Sequence, residues 1–290
     1  MSSLPQISIV TPSFNQAEFL EEAILSVLEQ GYANLEYIIM DGGSTDGSVD
    51  IIKRYAQRLT HWESAPDGGQ TDAISRGFHG ATGEILGWLN SDDLLLPGCL
   101  EKVGQYFADR ANRSCVVGGC VHIGPGGELL RDSAGIPVCN LGSRLSYSKL
   151  LFWQCGCVNQ PATFWRREAL WKVGGLDTRL QFCMDYDLYI RLARLGSFGR
   201  IRDYLACFRL HPASKTSTIP ETMTRENRLL WERYGRYKPP RIAQTLLFQW
   251  YDKTSRIGCW LFRQRLRLGL VPAPAALQPV SLREQSRRAR

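Results

Sequence analysis

Two adjacent carboxylates, Asp92 and Asp93, follow a short apolar run, Ile85-Leu86-Gly87-Trp88-Leu89, with only Asn90 and Ser91 between. The run has the length and bulk of a buried strand. In open α/β sheets the carboxyl end of a strand is where ligands bind. Neighbouring carboxylates repel unless positive charge lies beside them. A hard divalent cation is one such partner, since it prefers oxygen ligands and commonly bridges protein to a phosphate. Capping is the purely structural alternative: Ser91 or Asp92 can cap a turn that runs into Leu94-Leu95-Leu96 ahead of Pro97-Gly98.

The segments before this pair determine where it sits. Ile7-Ser8-Ile9-Val10 reads as a strand, broken by Thr11-Pro12-Ser13-Phe14-Asn15. Asn15 is placed to cap a helix over Gln16–Gln30, with an apolar stripe of Phe19, Ala23, Ile24, Val27 and Leu28. Tyr37-Ile38-Ile39-Met40 reads as a second strand, ending at Asp41. A glycine-rich turn, Gly42 to Ser48, leads into a helix over 48–59, and His61-Trp62-Glu63-Ser64 reads as a third, weaker strand. Asp67-Gly68-Gly69-Gln70-Thr71-Asp72 opens a short helix, Ala73 to Phe78. The order β-α-β-α-β-α-β predicts a mostly parallel sheet flanked by helices. Three strands then end in polar clusters on one sheet edge, where helix N-termini favour phosphate. No G-x-G-x-x-G follows the first strand and no G-K-[ST] occurs, which disfavours hydride transfer and P-loop hydrolysis.

The chain has 290 residues, 44% hydrophobic and 22% charged, which suits one large α/β domain or a domain with a tail. No export signal or bilayer-length apolar run is visible, so the nine cysteines read as reduced cytoplasmic thiols. Cys155-Gly156-Cys157 is too tight for a zinc knuckle and reads as structural. Charge is uneven: residues 221–290 carry 15 Lys+Arg against 5 Asp+Glu, a net +10, leaving −3 on the first 220. A basic tail on an acidic body suggests an anionic surface, and without a nucleic-acid module a membrane face is favoured over nucleic acid.

In order and spacing, four segments resemble the GT-A inverting glycosyltransferases of family 2. They are Ile9 to Gln16, Asp41 to Ser48, Asp67 to Ala73, and Leu89 to Asp93. The resemblance covers roughly residues 5–215 and implies a GT-A catalytic domain over 1–215. Its nucleotide-binding half would be 1–120 and its acceptor half 121–215, with a basic helical extension over 216–290. It implies that Thr11, Pro12, Ser13, Asn15, Asp41 and Asp72 help hold the donor, Asp41 accepting from the base. Asn90 fills the first place of the family's Asp-x-Asp and would bond the ribose, while Arg76 and Lys215 would meet the diphosphate. Asp92, with Asp93 and His211, would hold Mg2+ or Mn2+ on the diphosphate of a UDP- or GDP-type sugar donor.

The resemblance also places the acceptor side. Gln160 to Arg167 matches the segment ahead of the acceptor site; one of Phe164 and Trp165 reads as core and the other as a sugar-stacking face. Cys183 to Leu192 opens a helix with Asp185 in its first turn. The helix dipole alone would explain a carboxylate there. The family's base comes from an acidic pair at this point, commonly Glu-Asp; here Met184 replaces the Glu, which implies Asp185, rather than Asp187, as general base. The expected acceptor is a saccharide or lipid-linked hydroxyl in cell-surface polysaccharide or glycolipid assembly. Residues 240–270 mix Trp250, Trp260 and Phe262 with Arg256, Arg263 and Arg265, either packing on the body or lying on anionic lipid at the inner face of the cell membrane. Residues 278–290 read as a loose polar end. The rival reading is a non-catalytic nucleotide-sugar-binding partner, supported by Asn90 and Met184 standing where acids are usual. A nucleotidyltransferase is disfavoured because a basic glycine-rich N-terminal loop is missing.

Overall fold

The computed structural model describes residues 4–235 apart from 134, 136, 141, 143, 144 and 154–157. Cys155-Gly156-Cys157, the 240–270 segment and the 278–290 end lie outside the described residues.

Strands β1 (Ile7–Ser13), β2 (Leu35–Asp41), β3 (His61–Ser64) and β4 (Ile85–Trp88) alternate with helices α1 (Ala17–Leu28), α2 (Ser48–Tyr55) and α3 (Gln70–Gly80). They pair in the order β3-β2-β1-β4, all parallel. Both faces of these strands are covered, so successive residues feed different cores. Ile7, Ile9, Tyr37 and Ile39 pack towards α1 and α2, whereas Val10, Ile38, Met40 and Leu86 pack towards α3. Helix α3 lies close against β1 because residue 77 is glycine: a Cβ there would sit 2.5 Å from Val10 Cγ1. Helix α3 begins three residues earlier than the apolar pattern suggested, after Gly69 at φ +100°. That turn needs a residue free to adopt positive φ.

The remaining elements are β5 (Leu94–Leu95), α4 (Cys99–Ala108), β6 (Cys115–Ile123), β7 (Cys139–Asn140), α5 (Tyr147–Trp153), β8 (Thr163–Arg166), α6 (Arg167–Lys172), α7 (Met184–Ala193), β9 (Gly199–Arg209), α8 (Lys215–Thr218) and α9 (Pro220–Tyr234). The sheet continues from β4 through β8, β6 and β9 to β5, with β7 on β6. Strand β8 runs antiparallel to β4 and β6, whereas β6 and β9 are parallel. The sheet is therefore mixed: β3-β2-β1-β4 is parallel throughout, and β6 with β9 adds a second parallel pair among antiparallel neighbours. No helix follows Ser91-Asp92; Leu94 and Leu95 form a strand against Cys207 and Ala206.

Asn15 does not cap α1. Its backbone takes φ +50° and its side-chain oxygen accepts the Thr45 N–H at 2.9 Å. The start of α1 is capped from the following loop instead. Asp46 Oδ2 accepts the Ala17 N–H at 2.8 Å and Ser48 Oγ accepts the Gln16 N–H at 3.1 Å. Burial works against the Asp46 charge, but hydrogen bonds from Ser48 and Ala17 prevail and hold its pKa down. Helix α9 packs on the body: Leu230 is buried in the same core as Tyr186 and Leu188. Glu226, also buried, accepts the N–H groups of Gln181, Phe182 and Cys183, each at 2.8 Å. These are the donors at the entrance to α7 that no turn of that helix can satisfy.

Candidate active site

The carboxyl ends of β1, β4 and β9 open onto a cleft with two joined compartments. The first, about 580 Å3, is lined by Pro12, Ser13, Gln70, Asn90 and Asp92 among others. The second, about 410 Å3, is lined by Gln160, Phe182, Cys183 and Asp185 among others. Gln70, Asn90, Phe208, Lys215 and Thr216 line both.

In the first compartment Asp92 Oδ2 lies 3.0 Å from His211 Nε2. His211 is held by its ring against Phe19, 4.6 Å between centroids. Arg209 fixes the backbone beneath. Its guanidinium is fully buried and donates to the Asp92 carbonyl at 2.8 Å, to the Pro125 carbonyl at 2.8 Å and to Glu22 at 2.7 Å. A buried arginine with its donors filled is a rigid post. Two adjacent ligands of one octahedral ion with bonds of about 2.1 Å stand about 3 Å apart, so the Asp92–His211 spacing fits a shared divalent ion. Among the described residues no three His, Cys, Asp or Glu side chains gather to hold a metal. Asp92 and His211 are thus the residues that could hold an ion, through one oxygen and one nitrogen.

Asp93 is not a third ligand. It is fully buried, lines neither compartment, and accepts the Arg209 N–H at 2.9 Å. Burial, and then the Asp92 charge beside it, push its pKa well above the usual carboxylate range. Asp92 is left to present charge to the cleft.

Asn90 sits where the two compartments meet. Its side-chain oxygen accepts from Gln70 at 2.8 Å, and its amide donates to Gln160 Oε1 at 3.1 Å and to Asp93 Oδ2 at 3.3 Å. A carboxylate at this position has no hydrogen to donate and would face two acceptors, one of them an acid. The amide in place of the usual acid therefore follows from its neighbours. Gln70 extends the network, its Oε1 accepting from Lys215 Nζ at 2.9 Å.

Asp185 opens α7 and reaches the second compartment. Burial raises its pKa to about 6, against the Tyr186 N–H, donated at 2.6 Å, and the charge of Lys215. The helix dipole also favours the charged form, so desolvation outweighs it here. A carboxylate of that basicity is suited to take a proton near neutral pH. Asp187, two residues on, is fully buried and bound to Arg191, Arg233 and Tyr234, a structural anchor. Burial lowers the pKa of Lys215, with Glu226 and Asp185 opposing.

Several predicted donor contacts lie elsewhere. Thr11 is buried on Tyr37, hydroxyl to hydroxyl at 3.0 Å. Asp41 is buried and its oxygens are occupied by Gly43, Ser44 and Ser64, so it shapes the glycine loop instead of lining the cleft. Asp72 accepts the Gly68 N–H at 3.1 Å and holds the turn into α3. Arg76 pairs with Glu63 beside a separate small cavity. Asn15 is spent on Thr45. Phe164 and Trp165 are both core residues, so neither offers a face to a sugar. Missed residues include Asp67, Gln70 and Phe208. The first two belong to the Asp67–Ala73 segment already singled out, where turn chemistry drew the eye from side-chain direction. Phe208 alternates with buried Arg209 on β9, a period-2 signal that marks it as facing the opposite way.

The model of glycosyl transferase family 2 matches residues 8–174, from β1 to just past α6. This chain belongs to that family. An uncharacterized glycosyltransferase of Nostoc sp. is 31% identical over 222 residues, covering 72% of this chain and 66% of the relative. The S. aureus protein TarS, solved in complex with UDP-GlcNAc, superposes with a TM-score of 0.57 at 16% identity, covering 73% of this chain and 61% of that one. The mannosyltransferase PcManGT of Pyrobaculum calidifontis, solved with GDP-Man and Mn2+, gives a TM-score of 0.56 at 20% identity, covering 82% of this chain and 66% of that one. These likenesses carry the GT-A fold. The chain spans about two thirds or less of the length of these three proteins. Within the family, Asp92 and Asn90 lie inside the matched segment, whereas Asp185, His211 and Lys215 lie beyond it.

Proposed function

We propose that this chain is an inverting, metal-assisted glycosyltransferase that moves a sugar from a nucleoside-diphosphate-sugar to a hydroxyl acceptor. The observation that carries the reading is the pairing of functions across one cleft. Asp92, backed by buried His211 at 3.0 Å, faces one compartment, and a carboxylate of pKa about 6, Asp185, faces the other. Asp92 and His211 would hold a divalent ion, Mg2+ or Mn2+, which would supply Lewis-acid stabilisation to a departing diphosphate. Lys215 brings an ammonium to the junction of the two compartments, where it meets the same developing charge. Asp185 accepts the acceptor hydroxyl's proton as that oxygen attacks the anomeric carbon from the face opposite the diphosphate. Asn90, Gln70 and Gln160 hold the junction between donor and acceptor in register.

UDP- and GDP-sugars are the donors to try first, because TarS and PcManGT were solved with one of each. The acceptor in this reading is a saccharide or lipid-linked hydroxyl, in surface polysaccharide or glycolipid assembly. The domain division at 215 and a membrane-facing basic extension belong to the same proposal. Among the described residues no helix is long and apolar enough to cross a membrane. The test is release of nucleoside diphosphate from a panel of UDP- and GDP-sugars with Mn2+, Mg2+ or EDTA. One donor should be turned over with metal and fall to background in EDTA. Release that is equal in EDTA would remove the ion from the account.

A further inference from the structure

A separate cavity of about 710 Å3 lies apart from the cleft. It lies at the other end of the sheet, between the loop that precedes β6 and the loop that precedes β9. Strand β9 joins the two places: Gly199 at its start lines the cavity, and Phe208 near its end lines the cleft. Nine residues of extended chain put them on the order of 25–30 Å apart.

Among the described residues four arginines, Arg110, Arg113, Arg200 and Arg202, line this cavity, and no carboxylate does. Of the nearby acids, Asp203 is taken by Lys102 at 2.6 Å, and Asp109 accepts from Gln105 at 2.8 Å and meets Arg110 at only 3.9 Å. Arg110 also lies over the Tyr106 ring, 4.7 Å from its centroid. Among the described residues Arg113, Arg200 and Arg202 have no ion pair. The Nε of Arg200 is buried without a hydrogen-bond partner. A buried guanidinium donor left unfilled costs free energy, and one facing like charges costs more. Burial, then the neighbouring Arg202, pull the Arg200 pKa down, the direction a missing counter-charge gives. The cavity also offers the Ser146 and Ser197 side chains, and Tyr106 reaches in only because residue 199 is glycine. Arginine forks and serine hydroxyls lining one cavity, with Arg200 and Arg113 half-buried and Arg110 and Arg202 exposed at its rim, suit a tetrahedral oxyanion.

We propose that this cavity is a second ligand site, remote from the transfer cleft, that binds a phosphate-bearing anion. Arg200 and Arg202 are its central donors. The phosphate belongs either to a free small molecule or to a lipid headgroup. The site is independent of the transferase reading and stands or falls by itself.

The test uses the full chain in EDTA and its Arg200→Gln/Arg202→Gln variant. Inorganic pyrophosphate is titrated by calorimetry, and an Asp92→Ala chain serves as control for binding in the cleft. The expected result is saturable binding that weakens with salt. It should persist in Asp92→Ala and fall roughly tenfold or more in the double variant, as loss of charge-assisted hydrogen bonds implies. Both variants should keep the wild-type melting temperature within a few degrees. Sedimentation with phosphatidylcholine vesicles, with and without phosphatidic acid, separates the sources. Vesicle binding that the double variant loses assigns a headgroup; pyrophosphate binding lost with vesicle binding unchanged assigns a free anion. Pyrophosphate and vesicle binding both unchanged in the double variant, or no saturable binding of either by the wild type, overturns the proposal.

Discussion

Asp92 and Asp93 are neighbours in sequence and opposites in environment. One side chain meets the cleft and His211, while the other is sealed under Arg209 with its charge suppressed. Their amide variants should therefore differ. Asp92→Asn is expected to lower turnover about a hundredfold or more, the usual scale for losing a group that acts on transition-state charge. Asp93→Asn, which replaces a suppressed charge with a neutral group of similar shape, should stay within about tenfold of wild type. Steady-state rates at saturating donor and metal check both; equal losses would contradict the assignment. Asp185 carries a further consequence. Its pKa of about 6 lies above the ordinary 3.8, so folding favours its protonated form. The destabilising contribution is absent below about pH 4 and complete above about pH 6. Asp185→Asn should thus melt a few degrees above wild type at pH 7.5, with the gap closing as pH falls to about 4. A variant that melts lower at pH 7.5 would contradict the burial argument.

Elements position these groups through contacts that cross long stretches of chain. Helix α7 presents Asp185, but its entrance is held by Glu226 from α9, which takes three N–H groups at once. Glu226→Ala leaves those donors without their acceptor and is expected to cost about 2–4 kcal/mol and to lower kcat more than it raises KM. Glu226→Gln, which keeps one acceptor oxygen, should recover part of both. Urea unfolding together with steady-state kinetics reads the two effects, and unchanged kinetics in the Ala variant would show that α9 plays no part in placing Asp185. The parallel strands were legible in the sequence because burial on both faces produces unbroken apolar runs such as Ile7–Val10 and Tyr37–Met40. Leu94–Leu95 was not legible as a strand. Its pairing partner, Cys207 and Ala206, lies more than a hundred residues away, and two residues carry no periodicity. The α1 cap was misplaced for a similar reason: its acceptors come from Asp46 and Ser48 across a loop, not from the adjacent Asn15.

Across the whole molecule, the family match ends at residue 174, yet half of the proposed chemistry comes later. His211 and Lys215 return to the cleft because β9 runs back beside β6 and delivers His211 next to Asp92, while α7 presents Asp185. Motif order in the first hundred residues was enough to expect the fold and one edge of the site. It could not tell which acids line the cleft, since Asp41 and Asp72 are turned to their own loops and Asp93 to the Arg209 N–H on β9, by hydrogen bonds that spacing does not encode. The two compartments meet at Asn90 and Lys215, and in the proposed reaction a single displacement would run across that junction. The pH dependence of kcat/KM for nucleoside diphosphate release, in Mn2+ with a turned-over donor, tests this most directly. The wild type should lose activity as pH drops below about 6, following protonation of Asp185, and Asp185→Asn should lose both turnover and that acid limb. An Asp185→Asn enzyme with the wild-type rate and the wild-type acid limb would contradict the account.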